Sequence, residues 1–149
     1  MPNWCWNYLT IKKADADKYV FNKKQEVDFT ILIPEPETKE QCEEKYIVKD
    51  PVTSAIEIQD EKPWFDRYNW SWDKWGVKWN ALRTAIHDYI EETGIYIIYF
   101  ETPWGPPDEW LKALVDKGVE FYLDWEEEFG EHGTIRSGQR KMCSDNEIQ

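Results

Sequence analysis

The side chains of this sequence that do chemistry at neutral pH are few, and their spacing argues against a metal or nucleophilic centre. His87 and His132 stand far apart, and Cys5, Cys42 and Cys143 include no Cys-x-x-Cys pair. Cys5 falls on an expected central strand, where a thiol is ordinarily buried and inert. Glu101 ends an apolar stretch, where burial would raise a carboxylate pKa, although strand-end carboxylates are more often solvated or hydrogen-bonded. No catalytic constellation emerges, so the expectation is a non-enzymatic protein with no cofactor and no metal.

Two other groups carry binding chemistry. "NWSWDKWGVKWNA", Asn69 to Ala81, holds four tryptophans in thirteen residues. Trp64, Trp72 and Trp75 recur at helical spacing and read as core. Trp70 falls off that face, and Trp79 and Trp104 lie in turn-like contexts beside Lys78 and prolines. Trp70, Lys78, Trp79 and Trp104 are therefore candidates for a pocket that stacks a planar, nucleotide-type ligand. The second group is the acidic run of Asp124, Glu126, Glu127, Glu128 and Glu131. Its ordinary role is a wet strand end and loop. Its functional reading is an anionic surface that engages a basic host protein by imitating phosphate spacing.

Charge narrows the partners. The 149 residues carry 30 acidic and 18 basic side chains, a net charge of -12, with a pI near 4.6. A nucleic-acid backbone or an anionic membrane surface is disfavoured, because the basic residues do not cluster. Aromatics on the first and third strands (Trp4, Trp6, Tyr8, Tyr96 and Phe100) resemble the stacking residues of single-strand RNA binders, but the charge has the wrong sign. The longest apolar run, Ile95 to Phe100, is too short to span a bilayer. No secretory signal is apparent, and the scattered cysteines suit reduced thiols, so a cytoplasmic location is expected.

The elements that position these residues follow from periodicity. Trp4 to Ile11 and Ile95 to Phe100 are apolar on both faces, which predicts central strands covered on both sides. A helix is expected over Asp15 to Lys24 and a strand over Phe29 to Pro34, stopped by "PEPE". The pattern weakens from Glu35 to Asp60, where "SAIEIQ" suggests a short strand. A helix capped by Asp60 should then carry Trp64, Phe65, Tyr68, Trp72 and Trp75 as far as Gly76. A further helix is expected over Asn80 to Glu92, with His87 on its surface, because Leu82, Ile86, Tyr89 and Ile90 fit a helical face. Asp108 to Lys117 reads as a helix. The stretch "VEFYLDWE" alternates, with Val119, Phe121, Leu123 and Trp125 inward and Glu120, Asp124 and Glu126 outward. Glycines near His132 suggest a hairpin, and the segment from Cys143 a frayed tail.

The order strand, helix, strand, insertion, strand, helix, strand is the split βαβ plan. The expected fold is α+β: one ferredoxin-like antiparallel sheet over residues 1–149, with a Trp-rich helical insertion at about 35–94 between strands two and three. The insertion's tryptophan helix would cover the sheet face that this plan leaves open.

Three stretches carry a resemblance. "MPNWCWNYLTI" resembles an opening of Met-Pro-Asn-Trp-Cys, any residue, Asn and alternating apolar residues. "WGVKWNA" resembles Trp-Gly-Thr-Lys-Trp-Asn/Asp-Ala, and "FETPWGPP" resembles Phe-x-Thr-Ala-Trp-Ser-Pro-Pro. All are similar to the YubB-like group of small plasmid and phage proteins. Val77, Pro103 and Gly105 depart from the usual Thr, Ala and Ser. The resemblance implies a mobile-element origin and a ferredoxin-like domain, and it brings no catalytic residues. A phage or plasmid accessory protein that binds a host protein, including one of a defence system, is the function expected.

Overall fold

Alternation decides the first strand. β1 runs Trp4–Lys12, and Cys5, Leu9 and Ile11 are buried on one face while Trp6, Tyr8 and Thr10 stay partly open on the other. The structure, a computed structural model, describes residues 3–48 and 62–138. Asp60, the "SAIEIQ" segment, Cys143 and the tail lie outside the described residues.

The helix after β1, α1, spans Lys13–Tyr19 and stops short of Lys24. Val20 and Phe21 turn into the core instead, and Phe21 bridges Val27. Phe29 to Pro34 is not a strand. Phe29–Ile31 form a single 3₁₀ turn, capped by the Asp28 carboxylate accepting from Thr30 N–H. Phe29 is fully buried, against Trp75 at 5.7 Å and Trp110 at 4.8 Å between ring centroids. The aromatic anchor draws this stretch onto the helical layer and away from any strand partner.

The tryptophan helix, α2, spans Arg67–Lys74, with Asp66 accepting from Asn69 N–H at its start. It was expected to roof the open sheet face; it joins the helical layer instead. Trp70 and Trp75 are buried beside Phe65, and Trp75 donates its indole N–H to the Ile33 carbonyl at 3.0 Å. Asn80, in the same motif, donates to Asp28 and accepts from Phe29 N–H, tying the loop back to the chain before it.

The predicted helix at Asn80 to Glu92 is a strand. β2 covers Leu82–Ile90 and pairs antiparallel with β3, Ile95–Pro103. Register shifts between Leu82 and Ala85, and between Ile86 and Asp88, break the two-residue alternation. Arg83 takes φ 53° at the first of these. Two bulges in nine residues leave an apolar spacing that imitates a helix. β-branched and aromatic residues paired along β3 suit a strand.

α3 follows at Asp108–Asp116 and buries Trp110, Leu111 and Leu114. β4, Phe121–Glu127, and β5, His132–Arg136, form a hairpin. The single sheet has the order β2-β3-β1-β4-β5, antiparallel throughout. This is the ferredoxin-like arrangement with a fifth strand beside β4. The insertion lies between α1 and β2, one connection earlier than expected, because its predicted final helix is β2 itself. Among the described residues, no helix is long and apolar enough to cross a membrane.

Gly76 shows how tightly the insertion docks. Its φ is +87°, and a Cβ there would lie 2.9 Å from the backbone nitrogens of Asp108 and Glu109. Gly94 also has positive φ, +69°, but nothing lies within 4 Å of its Cβ position. Gly76→Ala should therefore cost roughly 2–4 kcal/mol, from backbone strain plus overpacking. Gly94→Ala should cost only about 1–2 kcal/mol. Chemical denaturation of both variants measures the difference.

Candidate functional site

Among the described residues the helices leave one face of the sheet open, and register places side chains on it. Trp6 pairs with Glu101 on β3 and with Glu126 on β4; Tyr8 pairs with Tyr99 and with Asp124. Directly opposed residues share a face. β5 adds His132 opposite Glu126 and Thr134 opposite Asp124. A cavity of about 680 Å³ lies over these residues, lined by Trp6, Tyr8, His87, Tyr99, Asp124, Glu126 and their neighbours.

Its floor is aromatic. Tyr8 lies 5.2 Å from Tyr99 and stands edge-on to His87 at 5.2 Å. His87 is therefore a sheet-face residue, not a helix-surface one, and the fold brings it to the same cavity as His132. Tyr99 donates to Glu101, and burial together with that hydrogen bond pushes its pKa well above the usual range. Glu101 also accepts from Arg83 at 2.6 Å, so it is a paired carboxylate. Asp124 accepts from the Thr134 hydroxyl at 3.0 Å, and among the described residues neither Asp124 nor Glu126 has an ion pair.

Of the expected acidic surface, Asp124, Glu126, Glu128 and Glu131 are exposed and Glu127 is half-buried. Glu128 accepts the Trp4 backbone N–H at 2.8 Å, which joins the acidic turn to β1. Asp124 and Glu126 were legible from alternation alone. Their meeting with Trp6, Tyr8 and both histidines was not, since it depends on strand order.

The expected tryptophan pocket does not assemble. Trp70 is 5% exposed and packed against Phe65 and Trp75, far from solvent. Trp79 stands edge-on to Trp4, at 6.0 Å, and its indole nitrogen is buried. Trp104 alone is exposed, at 41%, and Lys78 sits over its ring at 5.1 Å. None of Trp70, Lys78, Trp79 and Trp104 lines the open-face cavity. Tyr96 and Phe100 also leave the stacking set. They lie on the covered face of β3, and Tyr99 takes the open position. The notion that both faces of β1 and β3 are covered fails for the same reason.

A family model described as "ferredoxin-like domain in Api92-like protein" matches residues 74–148, half of the chain. The chain belongs to that family. No curated protein and no solved structure matches it. The Api92-like stretch begins at the end of α2 and contains β2 to β5, so β1 enters the sheet from outside the matched residues.

Within the Api92-like domain, the "WGVKWNA" and "FETPWGPP" stretches meet the chain's opening at one end of the sheet. Trp104 N–H donates to the Asn3 carbonyl at 2.6 Å, Asn7 donates to the Thr102 hydroxyl at 2.9 Å, and Trp110 N–H donates to the Trp75 carbonyl at 3.2 Å. Cys5 is fully buried here, and burial pushes its thiol up to about 12, so it stays protonated at neutral pH.

Asp108 opens α3 in the same corner. Burial raises its carboxyl to about 6 from an ordinary value of 3.8. A folded-state pKa above the unfolded one means that the folded state holds the proton more tightly. Stability from this group is therefore full below about pH 4 and lost as pH rises through 6. Asp108→Asn should melt higher than the native protein at pH 7, and the gap should close below pH 4. Thermal melts across that range check it.

Proposed function

We propose that this protein is a non-enzymatic accessory protein of a phage or plasmid that binds a basic surface on a host protein in the cytoplasm. One observation carries the reading. Asp124 and Glu126, which have no ion pair among the described residues, open onto an aromatic cavity on the uncovered sheet face. Glu128 and Glu131 extend the negative surface around the β4–β5 turn, whereas Glu127, opposite Cys5, lies on the covered side of β4. Nucleic-acid enzymes, including those of defence systems, present basic phosphate-binding grooves that such a surface fits. The mobile-element origin rests on the resemblance of the three motifs to YubB-like proteins. Direct nucleic-acid binding fits poorly, because a phosphate would approach Asp124 and Glu126.

Glu128 already holds β1, so Glu126→Lys with Glu131→Lys is the informative charge reversal. The pair should slow association with a host protein captured from a lysate by about tenfold or more, and leave the melting temperature nearly unchanged. Native association should weaken as salt rises. Capture unaffected by both salt and charge reversal would sink the reading.

A second reading, a small-ligand binder, keeps one observation in its favour. Trp104 is exposed and holds φ +72°, a backbone conformation that bulky residues rarely adopt. A nucleotide stacking there should quench tryptophan fluorescence in the native protein and not in Trp104→Ala. A panel of nucleotides with neither quenching nor a thermal shift would remove it.

A further inference from the structure

The chain covers several of its exposed or half-buried rings with its own cations. Lys78 lies over Trp104 at 5.1 Å, Arg83 over Trp4 at 5.0 Å and Arg136 over Tyr122 at 5.0 Å. The rings of the open-face cavity differ. Among the described residues no Lys or Arg sits over Trp6, Tyr8 or Tyr99, and the cavity lining contains neither residue type.

The carboxylates repeat the contrast. Glu101, opposite Trp6 on the β3 side, is matched by Arg83 at 2.6 Å. Glu126, opposite Trp6 on the β4 side, and Asp124, opposite Tyr8, have no cation among the described residues. Each ring thus has a carboxylate beside it on the same face, since directly opposed side chains stand about 5 Å apart. Two formal negative charges and an aromatic floor share one concavity.

We propose that this cavity receives an arginine side chain from the basic partner protein, which rests on the binding reading above and names the group that the site recognises. A guanidinium is planar, so it lies flat on a tyrosine or indole ring while its edge donates two parallel hydrogen bonds to the neighbouring carboxylate. A lysine ammonium cannot stack in this way and is more strongly hydrated. A nucleotide would stack, but its phosphates would meet Asp124 and Glu126. At about 680 Å³ the cavity is larger than one guanidinium needs, so residues flanking the arginine enter with it.

The test uses the full chain and three probes of one length: N-acetyl-glycyl-arginyl-glycinamide and its lysine and citrulline counterparts. Proton resonances of the Trp6, Tyr8, Tyr99, His87 and His132 side chains report occupancy. The arginine peptide should shift these resonances saturably and bind about tenfold tighter than the lysine peptide. The citrulline peptide, planar but neutral, should not saturate. Asp124→Asn with Glu126→Gln should weaken arginine binding about tenfold or more with the melting temperature little changed, whereas Glu91→Gln, a substitution in the exposed β2–β3 turn, should do nothing. Trp6→Leu should weaken binding as well.

Equal binding of lysine and arginine would overturn the proposal in favour of unselective charge attraction. Equal binding of citrulline would make the cavity a neutral planar-ligand site, and no saturable shift would remove the pocket altogether. In each of these cases, host capture that still responds to charge reversal at Glu126 and Glu131 would leave the broader binding reading standing.

Discussion

β1 is hydrogen-bonded along both of its edges, to β3 over Trp4–Lys12 and to β4 over Cys5–Ile11. As the middle strand of five, it joins the β2–β3 half of the sheet to the β4–β5 half. Its parity then decides the rest. Cys5, Asn7, Leu9 and Ile11 face the helices and are buried; Trp6 and Tyr8 face the other way. A one-residue slip would exchange those sets and place an apolar row in water. Asn7 resists a slip. Its buried amide donates to the Phe100 carbonyl and to the Thr102 hydroxyl, partners available in one register.

That constraint explains why the motif stretches are architectural. They lie at the end of the sheet where β1 begins, where Asn3 holds the Trp104 backbone and Gly76 admits the first turn of α3. Val77 is fully buried, so an apolar side chain suits the position. Gly105 contributes its carbonyl to the Thr102 hydroxyl, a role that any residue's backbone can fill. Trp75 and Trp110 belong to this packing. Phe29, Trp75, Phe100 and Trp110 form one tilted aromatic cluster beneath the helices.

The electrostatics divide along the same line. On the β2 side of the open face, carboxylate and ring both find basic partners, as with Arg83 between Trp4 and Glu101. On the β4–β5 side Arg136 lies over Tyr122, but Asp124 and Glu126 have no ion pair among the described residues and stand beside the uncovered rings of Trp6 and Tyr8. A net charge of -12 spread evenly would only favour solubility, whereas this separation gives the surface a direction in which basic partners are drawn.

Alternation and composition alone determined β1, β3, α3 and β4, and with them the outline of the ferredoxin-like plan but not its second strand, because strands with one buried face must repeat every second residue and a helix beside prolines and glycine has marked ends. They also determined that Asp124 and Glu126 point to water. Tertiary structure decided the remainder. Two bulges turned β2's apolar spacing into an imitation of a helix, and pairing with β3 overrode it. Burial of Phe29 against Trp75 and Trp110 removed a strand whose local sequence is strand-like. Trp70 and Trp104 both look like surface tryptophans locally, yet only contact with Phe65 and Trp75 separates the buried one from the exposed one. The candidate cavity is the clearest case. Tyr99 rather than Tyr96 faces it, and His87 meets His132 across it, because strand order and register bring together residues that no local pattern connects.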